Sequence, residues 1–114
     1  MCMESEREWK PPPITDAAVR EWMKAQSLPV GSTRYYADEE VYAWRHEGAI
    51  GGSPTLWVAR PVLEENDPAA LVAALDRLAI GDRMRAAPKS RFLIFQEDTD
   101  IQVKPWGHGP HRGE

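Results

Sequence analysis

Residues 41–60 read VYAWRHEGAIGGSPTLWVAR, and this stretch decides the fold. Apolar and polar side chains alternate over residues 41–47 and again over residues 55–60, which is typical of strands. The glycine-rich segment 48–54 separates the two runs, and Pro61 limits how far the second one can continue inside a sheet. We therefore expect an antiparallel hairpin at the centre of the molecule.

This hairpin has two possible registers, and a slip of one residue moves a whole set of side chains to the other face. In one register, Trp44 shares a face with Leu56 and Val58. Trp57 then lies on the opposite face, beside Arg45. In the other register, Trp44 and Trp57 share a face, and the sequence does not choose between the two.

Two helices are predicted outside the hairpin. Thr15 is the expected N-cap of the first, because small hydroxyl side chains accept hydrogen bonds from the first helical turn. Asp67 is the expected N-cap of the second, with Pro68 in the first helical position and Gly81 as the C-terminal stop. Residues 82–87 can add a short helical turn.

Further strands are predicted from runs of β-branched and aromatic residues at positions 33–36, 91–96 and 101–103. The resulting order is α-β-β-β-α-β-(β). This order predicts the α+β class, with a small, mostly antiparallel sheet packed with two helices.

A single domain is expected over residues 14–103. Residues 1–13 are predicted to be a polar leader and residues 104–114 a tail rich in glycine and proline. Trp9 and Trp106 are isolated apolar groups in these two segments, and we expect them to fold back onto the domain.

The composition is that of a globular protein, with 42% apolar and 28% charged residues in 114. The longest apolar run, 69–75, is far shorter than the roughly twenty residues of a membrane span. The leader has no apolar core typical of a secretory signal, and a lone Cys2 excludes a disulfide framework. We therefore expect a cytosolic protein, and the bias towards Ala, Pro and Arg is typical of GC-rich, mostly bacterial genomes.

The predicted sheet carries apolar side chains on both faces. If the helices cover opposite faces, both apolar sets are core, whereas helices on one face leave an exposed aromatic patch typical of an interface. No nucleophile, base and orienting group stand together in the sequence. We therefore predict a non-enzymatic protein-binding domain, either an accessory, adaptor or regulatory subunit or a homodimer. Its expected contact residues are Trp57, Trp44, Phe95 and Arg45.

A small-ligand binder or an enzyme is the first alternative, with a pocket between the sheet and the first helix. Such pockets are mostly apolar with a few polar groups. The expected lining residues are Trp22, Tyr36, Tyr42 and Trp44, with His46 at the rim.

Single-stranded nucleic acid is the second alternative partner. Basic residues group within a short segment and could neutralise phosphates, namely Arg77, Arg83, Arg85, Lys89 and Arg91. The net charge of −4 argues against a general phosphate binder.

Acidic residues cluster at three predicted turns, in segments 38–40, 64–67 and 97–100. Solvated loops are the simplest interpretation, and an acidic patch for a basic partner or a weak divalent-ion site is the alternative. Beyond that alternative, the sequence predicts neither a metal nor a cofactor.

Overall fold

The computed structural model describes residues 9–47, 54–87 and 90–106, which form a five-stranded sheet and four helices. The helices are α1 (Pro13–Ala25), α2 (Arg60–Glu65), α3 (Pro68–Arg77) and α4 (Ile80–Ala86). The strands are β1 (Val30–Tyr36), β2 (Val41–His46), β3 (Thr55–Ala59), β4 (Phe92–Glu97) and β5 (Asp100–Pro105). The α+β class is confirmed.

The strands lie in the sheet in the order in which they occur along the chain. Neighbouring strands are antiparallel except for β3 and β4, which are parallel. Parallel neighbours need a crossover, and α2, α3 and α4 together supply it. The predicted mostly antiparallel sheet is therefore confirmed, with three helices in the connection where the sequence indicated one and a short turn.

The structure settles the register of the central hairpin. Trp44 lies opposite Leu56, and Ala43 lies opposite Trp57. Since paired residues share a face, Trp44, Leu56 and Val58 lie on one side of the sheet and Trp57 on the other. Residues 48–53 of the predicted hairpin loop 48–54 lie outside the described residues.

All four described helices pack on the same side of the sheet. Trp44, Leu56, Val58 and Ile94 form the sheet part of the main core. Each helix adds buried apolar side chains to this core, namely Val19, Trp22 and Met23, Val62 and Leu63, Leu71 and Leu75, and Ile80 and Met84. We call this side of the sheet the covered face and the other side the open face.

The first helix begins earlier than the sequence indicated. Pro12 is the N-cap, and its carbonyl accepts hydrogen bonds from the backbone N–H groups of Thr15 and Asp16 at 2.9 and 3.0 Å. Thr15 is therefore not the N-cap, and it is buried at 2% exposure inside the first turn. Pro13 fits the first helical position because its φ suits a helix and its missing N–H needs no partner there.

The predicted start of the second long helix is confirmed, but its predicted end is wrong. The Asp67 carboxylate accepts the Ala70 backbone N–H at 2.7 Å, and Pro68 opens α3. Ala79, with φ 55°, rather than Gly81, provides the left-handed residue between α3 and α4. Gly81 is buried within α4, where a Cβ would collide with the side chain of Gln26. A larger residue at position 81 would therefore require the flexible Gln26 side chain to move.

Helix α2 was not expected from the sequence. Strand β3 ends at Ala59, and Arg60 and Pro61 begin the helix where the predicted strand ran on to Arg60. A proline lacks the N–H that a central strand needs, yet it is well suited to the first turn of a helix.

Both tryptophans outside the predicted domain fold back onto it, as expected. The Trp9 ring lies 5.2 Å from Tyr35 and 6.2 Å from Tyr42, and the Arg60 guanidinium lies 4.8 Å from the Trp9 centroid. Hydrogen bonds to Glu64 and Tyr35 raise the pKa of Arg60 above its usual range. Strand β5 runs to Pro105, two residues past the predicted boundary.

No helix among the described residues is both long enough and apolar enough to cross a membrane.

Candidate docking surface

Trp57 is the centre of a second apolar cluster, which lies on the open face. The buried members of this cluster are Val41, Ala43, Trp57 and Leu93, and every one of them comes from the sheet. They lie on neighbouring strands because Val41 and Ala43 are in β2, Trp57 pairs with Ala43, and Leu93 pairs with Trp57. The described helices contribute no side chain to this cluster.

Aromatic rings cover Trp57 in place of helices. The Tyr36 ring lies 5.6 Å from the Trp57 ring, and the Trp106 ring approaches it edge-on at 5.2 Å. Tyr36 pairs with Val41 and Trp57 pairs with Ala43, so the two rings approach each other diagonally across β2. Trp57 is thereby only 6% exposed, while Tyr36, Phe95 and Trp106 stay half-buried at the surface.

Four cationic side chains surround these rings on the open face. The Arg34 guanidinium lies 4.7 Å from the Tyr36 ring centroid, and Lys104 Nζ lies 4.8 Å from the Phe95 centroid. Strand register places Arg45 and Arg91 on the same face, at the end where β3 begins. Within the described part of the chain, none of the four forms an ion pair with an acidic side chain.

The open face has a basic end and an acidic end. At the basic end, Arg45 pairs with Thr55, and the pairing of β3 with β4 places Arg91 at the level of Thr55. Arg91 is held beside the end of β5, because its carbonyl accepts a backbone hydrogen bond from Trp106. At the opposite end, Glu97 pairs with Asp100, and the acidic turn 38–40 joins β1 to β2. Glu47 also lies at the basic end, where its carboxylate accepts the Ser32 hydroxyl at 2.8 Å. Arg45, Arg91 and Lys104 outnumber it there, so the sheet carries a charge gradient along its strands, with the aromatic cluster between the two ends.

The acidic turns do not form a cation site in the part of the chain that can be described. No three His, Cys, Asp or Glu side chains there stand in a metal-binding arrangement. Residues 38–40 and 97–100 lie at or beside tight turns, where their side chains are exposed.

Three of the four predicted contact residues lie on the open face, namely Trp57, Phe95 and Arg45. Trp44, the fourth, lies on the covered face at 0% exposure. Its indole N–H donates to Asp16 Oδ1 at 2.9 Å, and Asp16 Oδ2 accepts from Arg20 at 2.9 Å. Helix α1 therefore covers Trp44 on its own face, and the sheet itself separates Trp44 from any partner on the open face.

The residues of the predicted ligand pocket are divided between the two faces. Trp22, Tyr42 and Trp44 are buried in the main core, and the Trp22 indole donates to Asp76 at 2.8 Å. Tyr36 lies on the open face. His46 is at the end of β2, where its Nδ1 lies 2.8 Å from the Pro29 carbonyl oxygen. These five side chains therefore do not line a common pocket.

The basic residues predicted to bind nucleic acid do not form one surface either. Arg77, Arg83 and Arg85 donate to the backbone carbonyls of Ile101, Leu78 and Gln26, at 2.9, 3.0 and 2.9 Å. Leu78 and Gln26 are the C-caps of α3 and α1, and cations near helix C-termini satisfy such carbonyls. Arg91 alone lies on the open face, and Lys89 is outside the described residues.

Sequence reasoning missed two cations of the open face, Arg34 and Lys104. The available signal was their spacing, because Arg34 stands two residues before Tyr36 and therefore shares its face. Lys104 falls in the segment that the sequence predicts to be tail, and it joins the face because β5 extends to Pro105.

No family model, no curated protein and no solved structure matches this chain. Its function therefore has to be argued from the geometry of the open face.

Proposed function

We propose that the chain is a cytosolic, non-enzymatic protein-docking domain whose contact surface is the open face. One observation carries the proposal: all four described helices cover one face, while the other holds Trp57 and three half-buried rings. Aromatic residues beside arginine are the side chains that most often dominate binding energy at protein interfaces. The four cations have no acidic partner among the described residues, so carboxylates supplied by a partner protein would form favourable ion pairs there.

A protein partner fits the ring geometry better than single-stranded nucleic acid does. Bases bind such sheets by stacking on open aromatic faces. Here Arg34 lies over the Tyr36 ring, Lys104 lies over the Phe95 ring, and Trp57 is only 6% exposed. The acidic turn that closes β4 and β5 at one end of the face would also repel phosphates. A protein can contact the rings edge-on and supply carboxylates to the cations.

Hydroxyl-radical footprinting with mass spectrometry tests this proposal. Side-chain reactivity is compared between dilute purified chain, concentrated chain, and dilute chain in a nuclease-treated lysate of its host cells. We expect Tyr36, Phe95 and Trp106 to lose reactivity in the concentrated sample, in the lysate, or in both. Ile14, which is 68% exposed on α1, serves as the internal reference and should stay reactive.

A matched pair of variants makes the footprint specific. Lys104→Glu reverses a charge on the open face, and Lys24→Glu makes the same change at the exposed end of α1. We expect only Lys104→Glu to remove the protection. Unchanged reactivity in both the concentrated sample and the lysate contradicts the proposal. Protection that appears in an untreated lysate but disappears after nuclease treatment contradicts it as well.

A further inference from the structure

We infer that the partner of the open face is a second copy of this chain, packed face to face with its strands antiparallel to those of the first. This inference rests on the proposed function and names the occupant of the same surface. Its basis is the charge gradient, since a surface with a basic end, an aromatic middle and an acidic end is complementary to itself after a half-turn.

Two twofold axes could bring two open faces together. An axis parallel to the strands would set basic end against basic end, with Arg45 of one copy near Arg91 of the other. An axis across the strands reverses one sheet, so that each basic end meets an acidic end. Like charges in an interface cost several kcal/mol and opposite charges do not, so electrostatics selects the second axis.

The strand register fixes which residues then meet. With the axis at the level of Ile94, Arg91 of one copy faces Glu97 of the other, and Leu93 faces Phe95, because each pair is centred on that residue. On β2, Arg45 faces the acidic turn 38–40 of the second copy.

The same half-turn also places complementary side chains opposite each other in the middle of the open face. Trp57 faces Ala59, so a large side chain meets a small one, and Arg34 faces Tyr36. Arg45 and Arg91 thus gain carboxylate partners and Arg34 gains an aromatic one. Lys104 faces Gln102 of the second copy and keeps the Phe95 ring of its own chain. Packed sheets lie about 10 Å apart with strands offset by about 30°, which tolerates the natural twist.

A charge-swap experiment in sedimentation velocity, run from micromolar to near-millimolar chain, tests the inference. Arg91→Glu sets a carboxylate at position 91 against Glu97 twice in the symmetric dimer, and Glu97→Arg sets two arginines together twice. Each variant alone should raise the dimer dissociation constant about tenfold or more. An equimolar mixture of the two variants should restore the dimer, because the two chains then carry charges of opposite sign at both positions.

Lys24→Glu is the control, since it makes the same charge change as Arg91→Glu on the helix side and should leave the wild-type dimer intact. Circular dichroism and thermal melting confirm that each variant is folded. A wild-type chain that stays monomeric throughout overturns the inference, as does a mixture that dimerises no better than its components. Lysate-only protection in the footprint would leave the docking proposal standing while the second-copy partner falls.

Discussion

The two faces of the sheet bury a tryptophan by different means. Trp44 and Trp57 lie on adjacent strands of one hairpin, at 0% and 6% exposure. Helices cover Trp44, and its N–H is bonded to a carboxylate on α1. Trp57 is covered by Tyr36 and Trp106, side chains at the surface of the same sheet. Low exposure alone therefore does not distinguish the main core from an interface. Surface side chains such as Tyr36 and Trp106 can move away from Trp57 when a partner binds, whereas the packed helices over Trp44 cannot.

The largest expected effect is on the covered face. Trp44→Ala removes a large buried ring beneath rigid helices and leaves Asp16 without its indole donor. We expect a loss of about 3–5 kcal/mol in the free energy of unfolding, which is typical of large-to-small changes in a core. Urea denaturation followed by far-UV circular dichroism measures this loss. A loss below that of Trp57→Ala would reverse the comparison between the faces.

The corresponding change on the open face should cost less. Trp57→Ala leaves a gap that Tyr36 and Trp106 can close or water can fill, so we expect a loss of about 2 kcal/mol. The variant should remain folded while its protein association weakens, which sedimentation velocity would show. Unfolding of this variant under native conditions would make Trp57 an essential core residue and remove the main support for the docking surface.

A smaller expected effect measures what the hydrogen bond of Trp44 contributes to stability, apart from the packing of its ring. Asp16→Ala leaves the buried indole N–H without its acceptor, which should cost about 1–2 kcal/mol. Arg20→Ala removes only the partly exposed ion pair to the other Asp16 oxygen, and it should cost about 0.5 kcal/mol or less. Denaturant titration of the two variants side by side gives the difference. Equal losses would mean that the indole bond contributes nothing measurable.

Much of the fold was predictable because its signals are local. Asp67 and Pro68 mark a helix start, and the alternating runs of β2 and β3 mark a hairpin; both are in the structure. The errors were also local. Thr15 and Gly81 are residue types that usually cap and end helices, but Pro12 and Ala79 took these roles. Propensity ranks candidates for such positions, and packing decides among them.

The candidate surface was only partly predictable. Trp57, Phe95 and Arg45 were expected contact residues and share the open face, whereas Trp44 and Tyr36 were each assigned a role that the geometry does not support. Their assignment depended on the hairpin register and on the side that each helix covers. Neither is encoded within a short window of sequence, since both depend on contacts between residues far apart in the chain.

The sequence by itself determined that both faces of the sheet are apolar and that its turns are acidic, because period-two alternation and turn composition are properties of neighbouring residues. Only the tertiary structure decided that the four described helices share one face, and that β5 continues far enough to bring Lys104 to the other. A helix buries its apolar stripe wherever the whole core packs best, and that choice is global. The open face and its charge gradient are the consequence of that choice.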